Sequence, residues 1–316
     1  VRHYLEELRF DPENHEPQLS HWMERYLGAK PRTAEERQYI EAVSRLSLIQ
    51  AVARALDPGC KADSVPILEG GQGIGKSTAI RVLHGAEWFG DALPSMGHKD
   101  ASDYIRGKWG IELAELAFQQ KAEIEAQKAF ISRREERFRP PYGREEIFYP
   151  RRCVFWGTTN RTDYVRDDTG NRRFLPIRTN QVDVNGLEAN RDKLWAEAVF
   201  YFEKGEQYWL SGDLASFADA QTKERVEEDA WVALVQEKLS SKAETSLREA
   251  FSVCFPGMNE HQITQQMTRR MSTCLQQAGW AKNGRFTAGA QRSLNRYTKE
   301  PEEPGFASIY DAHCDF

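Results

Sequence analysis

The chain has 316 residues, 40% of them hydrophobic and 29% charged, with a formal net charge of −5. This length indicates about two domains. No apolar run is long enough to cross a bilayer. The acidic balance excludes a uniformly basic nucleic-acid coat, so any contact with DNA or RNA must be local.

Two features of the chain concern its origin and its compartment. It begins at Val1 rather than Met, which predicts a piece of a longer polypeptide, and charged residues stand where a signal peptide would be apolar. The five cysteines, at positions 60, 153, 254, 274 and 314, form no C-x-x-C pair. Reduced thiols in an intracellular protein are therefore the expectation, and a zinc site is not.

Residues 1–58 are predicted to be helical. Apolar side chains recur at helical spacing at positions 40, 43, 46, 49, 52 and 56. The breaker Asp57-Pro58-Gly59 ends this helix. The pattern is typical of a packing region without chemistry of its own.

Residues 59–210 alternate short apolar runs with helical segments and are predicted to form an α/β core. The expected strands are Val65–Leu68, Trp109–Leu113, Cys153–Trp156 and Phe174–Ile177, and a helix is expected from Glu115 to about Glu136. Strands separated by helices predict a parallel sheet covered on both faces. Pro176 predicts that the last strand lies at a sheet edge or that the proline lies near its end.

A glycine-rich loop follows the first of these strands. Residues 70–77 match G-x-x-x-x-G-K-[ST], the Walker A loop, in full. Its glycines allow backbone N–H groups to converge on phosphate oxygens at a helix N-terminus. Lys76 would reach the β- and γ-phosphates, and the Ser77 hydroxyl would hold Mg²⁺. The predicted ATP-binding residues are Gly71, Gln72, Gly73, Ile74, Gly75, Lys76, Ser77 and Thr78.

A P-loop also needs a carboxylate on a neighbouring strand, which positions Mg²⁺ and the attacking water. Glu112 and Glu115 are the two candidates. In one extended strand they would face opposite sides. Glu115 lies nearer the carboxyl end, where ligand sites occur, so it is favoured, with Glu112 second. The alternative for either acid is a helix cap or an ion pair.

Polar residues follow the third predicted strand and precede the fourth. Asn160 ends an apolar strand and is predicted to contact the γ-phosphate or the water, a sensor role. Arg172 and Arg173 precede the last strand and suit an arginine finger supplied by a neighbouring subunit. A salt bridge to Asp167 or Asp168 is the alternative for these arginines.

An arginine-rich stretch lies between the second and third strands. Arg133, Arg137, Arg139 and Arg144 surround the turn Pro140–Gly143, which includes Tyr142. Arginine grips phosphates and tyrosine stacks on bases, so the stretch is predicted to be a hairpin tip that contacts nucleic acid. Glutamates in the same stretch leave a solvated charged loop as the alternative.

Residues 211–300 are predicted to form a helical and winged-helix-like C-terminal region, and residues 301–316 a loose tail. Leu247–Phe251 and Gln262–Gln277 have helical patterns, and Gly279–Phe286 has the composition of a turn into a hairpin. Helices followed by a basic hairpin are typical of a winged helix.

Taken in order, several motifs resemble the virulence-associated protein E (VapE-like) family. They are Pro58-Gly59-Cys60-Lys61, Leu68–Ser77, Glu112–Leu116, Lys128–Arg133, Arg139–Arg144, Gly157–Asn160 and Thr169–Phe174. The resemblance covers the first two thirds of the chain. The family belongs to phage, prophage and phage-satellite replication modules, and it is similar to superfamily 3 helicases and poxvirus-type primase-helicases, which are hexameric AAA+ motors.

The resemblance implies a role for each matching residue. Lys76 and Ser77 would carry Walker A chemistry, and Glu115 or Glu112 the Walker B role. Lys128 and the hairpin from Arg133 to Arg144 would contact DNA in a central pore. Asn160 would be the sensor, and Arg172 or Arg173 the finger across a subunit interface. The chain departs from the pattern in one respect, because its two Walker B acids are not adjacent.

The expected function is therefore an ATP-dependent DNA helicase or translocase motor that acts as a ring. Its expected cofactors are ATP and Mg²⁺. Its expected partners are single-stranded DNA, other copies of the chain and a primase, with no membrane contact, in the cytoplasm of a bacterial or phage-infected cell. One alternative is an ATP-switched replication initiator that binds duplex origin DNA without unwinding it. Another is a P-loop kinase for a small molecule.

Overall fold

The computed structural model describes residues 1–96, 99–114, 121–138, 147–162, 164, 171–225, 229–286 and 294–299. The chain divides into two compact units, Val1–Glu227 and Glu228–Phe316. In the described ranges, no helix has both the length and the apolar character that crossing a bilayer requires.

The first unit begins with three helices, of which the third is the long helix that the sequence predicts. They are α1 (Arg2–Glu7), α2 (Trp22–Leu27) and α3 (Ala34–Leu56). The Thr33 hydroxyl accepts a hydrogen bond from the Glu36 N–H at 3.1 Å and so caps α3. The helix ends immediately before Asp57-Pro58, which confirms the predicted breaker.

The rest of the first unit alternates strands and helices. The strands are β1 (Val65–Glu69), β2 (Phe89–Gly90), β3 (Gly110–Ala114), β4 (Glu135–Phe138), β5 (Ile147–Pro150), β6 (Val154–Thr159) and β7 (Phe174–Arg178). The helices are α4 (Lys76–His84), α5 (Lys99–Tyr104), α6 (Lys121–Ile131), α7 (Val184–Glu203) and α8 (Gly212–Lys223). All four predicted core strands are present, with ends that differ from the predicted ones by at most three residues.

Five of these strands form one parallel sheet in the order β2-β3-β6-β1-β7. This confirms the predicted parallel sheet. Strand β7 lies at an edge, as its Pro176 predicts, because a proline cannot donate to a second neighbour. The two-residue strand β2 at the other edge was not predicted, since a run this short carries no periodicity.

The core on one side of the sheet is rich in tryptophan. Trp109, Trp156 and Trp195 are buried around the His84 ring, with ring centroids 4.9 to 5.9 Å from it. The Trp156 indole N–H donates to His84 Nε2 at 2.8 Å. Burial lowers the pKa of His84 to about 3, so the imidazole is neutral and serves as a packed acceptor.

Strands β4 and β5 pair as an antiparallel hairpin, with Glu135 opposite Pro150 and Phe138 opposite Ile147. The hairpin was predicted, but the predicted extension of the preceding helix to Glu136 is wrong. Helix α6 ends at Ile131, because Glu135 and Glu136 pair across the hairpin and Glu136 forms a buried ion pair with Arg151. The predicted tip, including Arg139, Tyr142 and Arg144, lies outside the described residues.

The base of this hairpin is tied to α3. The fully buried Arg54 donates from Nη2 to the Arg133 carbonyl at 3.2 Å and from Nη1 to the Arg151 carbonyl at 3.4 Å. One guanidinium therefore contacts the backbone at both ends of the hairpin. We infer that the hairpin emerges from a rigid base.

The second unit contains α9 (Ala230–Lys238), β8 (Glu244–Ser246), α10 (Leu247–Cys254), α11 (Gln265–Gln277), β9 (Trp280–Arg285) and β10 (Asn295–Lys299). Its sheet is antiparallel, in the order β8-β10-β9. The predicted helices and hairpin are present, although the second helix begins at Gln265 rather than Gln262. The predicted tail, residues 301–316, lies outside the described residues.

Candidate functional site

The glycine-rich loop connects β1 to α4 at the carboxyl edge of the parallel sheet. Gly75 immediately precedes the helix with φ at +99°, a conformation that strains any residue with a side chain. A Cβ at Gly70 would also meet the Thr179 carbonyl oxygen at 2.6 Å. These glycines allow the loop to turn tightly into the N-terminus of α4, where the first N–H groups have no partner within the helix.

A cavity of about 320 Å³ lies over this loop and the neighbouring strand ends. Its volume falls at the lower end of the range for ligand pockets. The cavity brings together most of the predicted ATP-binding residues, the last residue of β3, and the predicted sensor Asn160. Its lining comprises Gln72, Gly73, Gly75, Lys76, Ser77, Thr78, Ala114, Thr158, Thr159 and Asn160. Gly71 and Ile74 do not line it.

Lys76 is nearly buried and reaches back over its own loop. Its Nζ donates to the carbonyl oxygens of Gly70 and Gly71, each at 2.7 Å. Burial lowers the pKa of this ammonium, and the neighbouring Glu112 carboxylate opposes that shift. The cation therefore lies inside the cavity, bonded only to neutral acceptors among the described residues, which leaves its charge available to an anion.

Glu112 is the acid that the structure places beside the loop. It lies in β3, is only 2% exposed, and its Oε1 accepts from both the Ser77 and the Thr158 hydroxyls at 2.6 Å. No lysine or arginine in the described ranges forms an ion pair with it. A carboxylate beside a hydroxyl offers the hard oxygen ligands that Mg²⁺ prefers. The other predicted acid, Glu115, lies outside the described residues.

A second buried carboxylate, Glu69, ends β1 immediately before the loop. It forms an ion pair with the buried Arg225, whose Nη2 donates to Oε2 at 2.9 Å. The Tyr164 hydroxyl donates to Oε1 at 2.7 Å, and the Glu69 backbone carbonyl accepts from the Thr179 N–H at 2.7 Å. These contacts fix the start of the loop. Sequence reasoning missed them, because Arg225 follows Glu69 by 156 residues and no local pattern connects the two.

Arg172 and Arg173 lie at the opposite edge of the sheet. They form a short turn before β7, whose five residues run parallel to β1, so they lie about 16 Å from the loop. Arg172 is exposed, whereas the Nε of Arg173 donates to Ser132 at 2.7 Å and lies 3.5 Å from Asp63. Neither arginine reaches the cavity of its own chain. The alternative partners, Asp167 and Asp168, lie outside the described residues.

The hairpin exposes paired arginine and aromatic side chains. The Arg137 guanidinium lies 4.6 Å from the ring centroid of Phe148, which is 53% exposed. Arg133 is also exposed. Sequence reasoning did not include Phe148 among the contacts, although it follows the predicted turn. Lys128, by contrast, is 5% exposed on α6, and this burial opposes its predicted contact with DNA.

Comparison with known families confirms the predicted resemblance. The family model for the virulence-associated protein E-like domain matches residues 5–227, so this chain belongs to that family. The match covers the first unit. No curated protein sequence matches the chain.

Solved structures with the same fold include the C-terminal region of NrS-1. Its A-form apo structure aligns with a TM-score of 0.51 at 12% sequence identity, covering 94% of this chain and 78% of that chain. Another apo structure of this region aligns with a TM-score of 0.51 at 13% identity, covering 93% of this chain and 77% of that chain. At this identity the likeness shows the fold alone.

Proposed function

We propose that this chain is the ATP-hydrolysing motor of a DNA helicase or translocase, which acts as a ring in a phage, prophage or phage-satellite replication module. The observation that carries the proposal is the cavity over the glycine-rich loop. It combines a helix N-terminus, the Lys76 ammonium and the exposed Ser77, whose hydroxyl donates to the buried Glu112. Membership of the virulence-associated protein E-like family supports the replication context.

The fold supports a P-loop NTPase core of the AAA+ type. The loop follows a central parallel strand and opens a helix at the carboxyl edge of the sheet, which is where phosphate-binding loops lie. In the second unit, the order of helices and strands supports the predicted winged helix.

The residues present fit a magnesium nucleotide. Backbone N–H groups from Gly73 to Thr78 and the Lys76 ammonium would bind the β- and γ-phosphates. Ser77 and Glu112 would hold Mg²⁺, which when bound neutralises charge on the phosphates. Asn160, exposed at the rim of the cavity, would orient the water or the γ-phosphate. Glu115 keeps its predicted role as the alternative acid.

The hairpin is the proposed contact with single-stranded DNA. Exposed arginines would bind phosphates, and the exposed Phe148 ring would stack on a base, a combination that binds without sequence preference. Arg139, Tyr142 and Arg144 remain predicted contacts. Lys128 is left out of the interface because it is buried.

Hydrolysis and its dependence on DNA can be tested together. We expect the wild type to release phosphate from ATP with Mg²⁺, and single-stranded DNA to increase the rate. The variant Arg133→Glu/Arg137→Glu/Phe148→Ala should lose this stimulation and keep its basal rate. A control with Lys30→Glu and Lys193→Glu, exposed cations far from the hairpin in sequence, should be stimulated normally. Undiminished stimulation of the hairpin variant would show that DNA binds elsewhere.

In the proposed ring, each ATP site is completed by an arginine from the neighbouring subunit. The arginines before β7 cannot reach their own cavity, so the proposal assigns the exposed Arg172 to a neighbour's cavity, with Arg173 as the alternative. Lys76→Ala and Arg172→Ala should each be inactive alone. Mixing them should restore hydrolysis, because some interfaces would then pair an intact loop with an intact arginine. No recovery in a mixture that forms mixed oligomers by native mass spectrometry would contradict the shared site.

The same mass measurement separates the motor from the alternative of a small-molecule kinase. With ATP and DNA present, a hexamer supports the motor and a monomer supports the kinase. A primase remains a proposed partner, which co-purification of the two proteins would test.

A further inference from the structure

The C-terminal unit contains a long basic stretch without acidic residues. From His261 through Lys299 there is no Asp or Glu, whereas lysine or arginine occupies positions 269, 270, 282, 285, 292, 296 and 299. The chain as a whole carries a net charge of −5. A run of cations without acids, in a chain that is acidic overall, indicates a local polyanion-binding surface.

The fold of this unit presents α11 in the manner of a recognition helix. Its order is helix, strand, helix, helix, strand, strand, and the first strand pairs with the last. Helix α11 is the third helix. It buries Met271, Cys274 and Leu275, and it exposes a polar face. The exposed side chains are Gln265, Gln266, Arg269, Arg270, Thr273, Gln276 and Gln277.

This exposed face has the chemistry that reads base edges. Glutamine can form two hydrogen bonds with adenine, and arginine can do so with guanine, in the major groove. The 13 residues of α11 give it a length of about 20 Å. The major groove, about 12 Å wide, admits an α-helix.

Five of the described basic residues of this stretch fall into two groups. Arg270 pairs with Asp229 at 2.7 Å and stacks on Trp231, and Arg296 lies 3.8 Å from Glu244, so these two stabilise the unit itself. Arg269, Lys282 and Arg285 are exposed, and no carboxylate of the described residues forms an ion pair with them. Their charges are available to phosphates.

We propose that the second unit binds duplex DNA, with α11 in the major groove and Lys282 and Arg285 of β9 on the flanking phosphates. The duplex is favoured over a single strand because the large exposed aromatic side chains of the described residues, Phe148, Tyr149 and Trp209, all belong to the first unit. Single strands are held by such stacking platforms. The inference goes beyond the proposed motor and does not depend on ATP hydrolysis.

The test uses the full chain without nucleotide. Fluorescence anisotropy measures binding of a mixed-sequence 30-base-pair duplex and of a single-stranded 30-mer across a salt series. The variant Arg269→Gln/Lys282→Gln/Arg285→Gln should bind the duplex about tenfold or more weakly. Its slope of log affinity against log salt should be shallower by about 1.8, since Lys282 and Arg285 are the two proposed phosphate contacts and each contributes about 0.9. Its binding of the single strand and its ATP hydrolysis should stay within about twofold of wild type.

A matched control, Lys30→Gln/Lys193→Gln/Lys204→Gln, removes three exposed charges from the first unit. It should bind the duplex like wild type. If both triple variants lost the same duplex affinity, the change in net charge would explain the loss and the proposal would be overturned. It would also be overturned if the α11–β9 variant bound the duplex as tightly as wild type does. Lys76→Ala separates the two proposals, because it should bind the duplex normally whether or not it hydrolyses ATP.

Discussion

Two buried carboxylates lie close to the glycine-rich loop, one at the end of β1 and one in β3, and their surroundings differ. Glu69 is 6% exposed and bonds to the Arg225 guanidinium and the Tyr164 hydroxyl. Glu112 is 2% exposed and, among the described residues, accepts hydrogen bonds only from the Ser77 and Thr158 hydroxyls. Glu69 therefore has an ion-pair partner, whereas Glu112 has none among the described residues and only neighbours the Lys76 ammonium.

Because their partners differ, we expect the two acids to have different roles. A buried ion pair whose polar atoms are bonded holds its neighbours in place, so Glu69 fixes the start of the loop. A buried carboxylate without an ion-pair partner is costly, and a bound cation relieves that cost. Of the two acids, Glu112 therefore has the surroundings that favour the proposed role beside Mg²⁺. Both acids are buried, so it is their hydrogen-bond and ion-pair partners, rather than burial, that distinguish a structural carboxylate from a candidate ligand-binding one.

The largest effect is expected at Glu112. Glu112→Gln keeps the shape and the hydrogen-bond acceptor but removes the charge, so ATP hydrolysis should fall by about 100-fold or more. Phosphate release at saturating ATP and Mg²⁺ measures it. Glu188→Gln, at an exposed position of α7, is the matched control and should be fully active. A fully active Glu112→Gln variant would transfer the role to Glu115.

The next effect is on stability and concerns Glu69. Arg225→Met leaves the Glu69 carboxylate buried without its cation, and the free energy of unfolding should fall by about 3–5 kcal/mol. Urea unfolding followed by circular dichroism gives this value. The double variant Glu69→Gln/Arg225→Met removes the unpaired charge and should recover part of the loss. If the double variant is as unstable as the single one, the lost packing of Arg225 explains the effect instead.

A smaller effect is expected from the hydroxyl that orients Glu112. Thr158→Val keeps the shape of the side chain but removes its hydrogen bond, so the Mg²⁺ concentration that gives half-maximal hydrolysis should rise about tenfold. Thr158→Ser restores the hydroxyl and should restore the Mg²⁺ requirement. A Val variant with reduced activity but an unchanged Mg²⁺ requirement would indicate a packing role only.

The smallest effect is a pH dependence that neither carboxylate causes. The pKa of His84 is about 3 in the folded chain and about 6.5 when exposed. Between these values the unfolded chain binds the proton more readily, so His84 lowers stability as the pH falls from 6.5 toward 3. Urea unfolding at pH 7 and pH 4.5 should show a smaller decrease for His84→Gln than for wild type. Equal decreases would show that carboxylates alone set the acid sensitivity.

Local patterns were sufficient to predict much of the fold. Apolar periodicity located α3 and the four core strands, and Pro176 placed β7 at an edge. The helix expected up to Glu136 was wrong at its end, because cross-strand pairing and the buried ion pair with Arg151 decide the structure of residues 135–138. Tertiary contacts of this kind cannot be predicted from the local periodicity of the sequence.

The sequence predicted the glycine-rich loop of the candidate site but not the residues that hold its two acids in place. The spacing of residues 70–77 by itself indicates phosphate binding, and the position of Asn160 directly after a strand was sufficient to select it as a site residue. The partners of the two acids, Thr158 and Arg225, are brought in by the sheet order and by the packing of α8. No spacing rule connects residues that far apart in the chain.

The proposed motor depends on binding of a magnesium nucleotide to Lys76 in the loop cavity. Isothermal titration of ATP with Mg²⁺ into wild type, Lys76→Ala and the exposed-site control Lys30→Ala measures this binding. We expect binding to wild type and to the control with equal affinity, and binding to Lys76→Ala at least tenfold weaker. Undiminished affinity of a folded Lys76→Ala variant would contradict the claim.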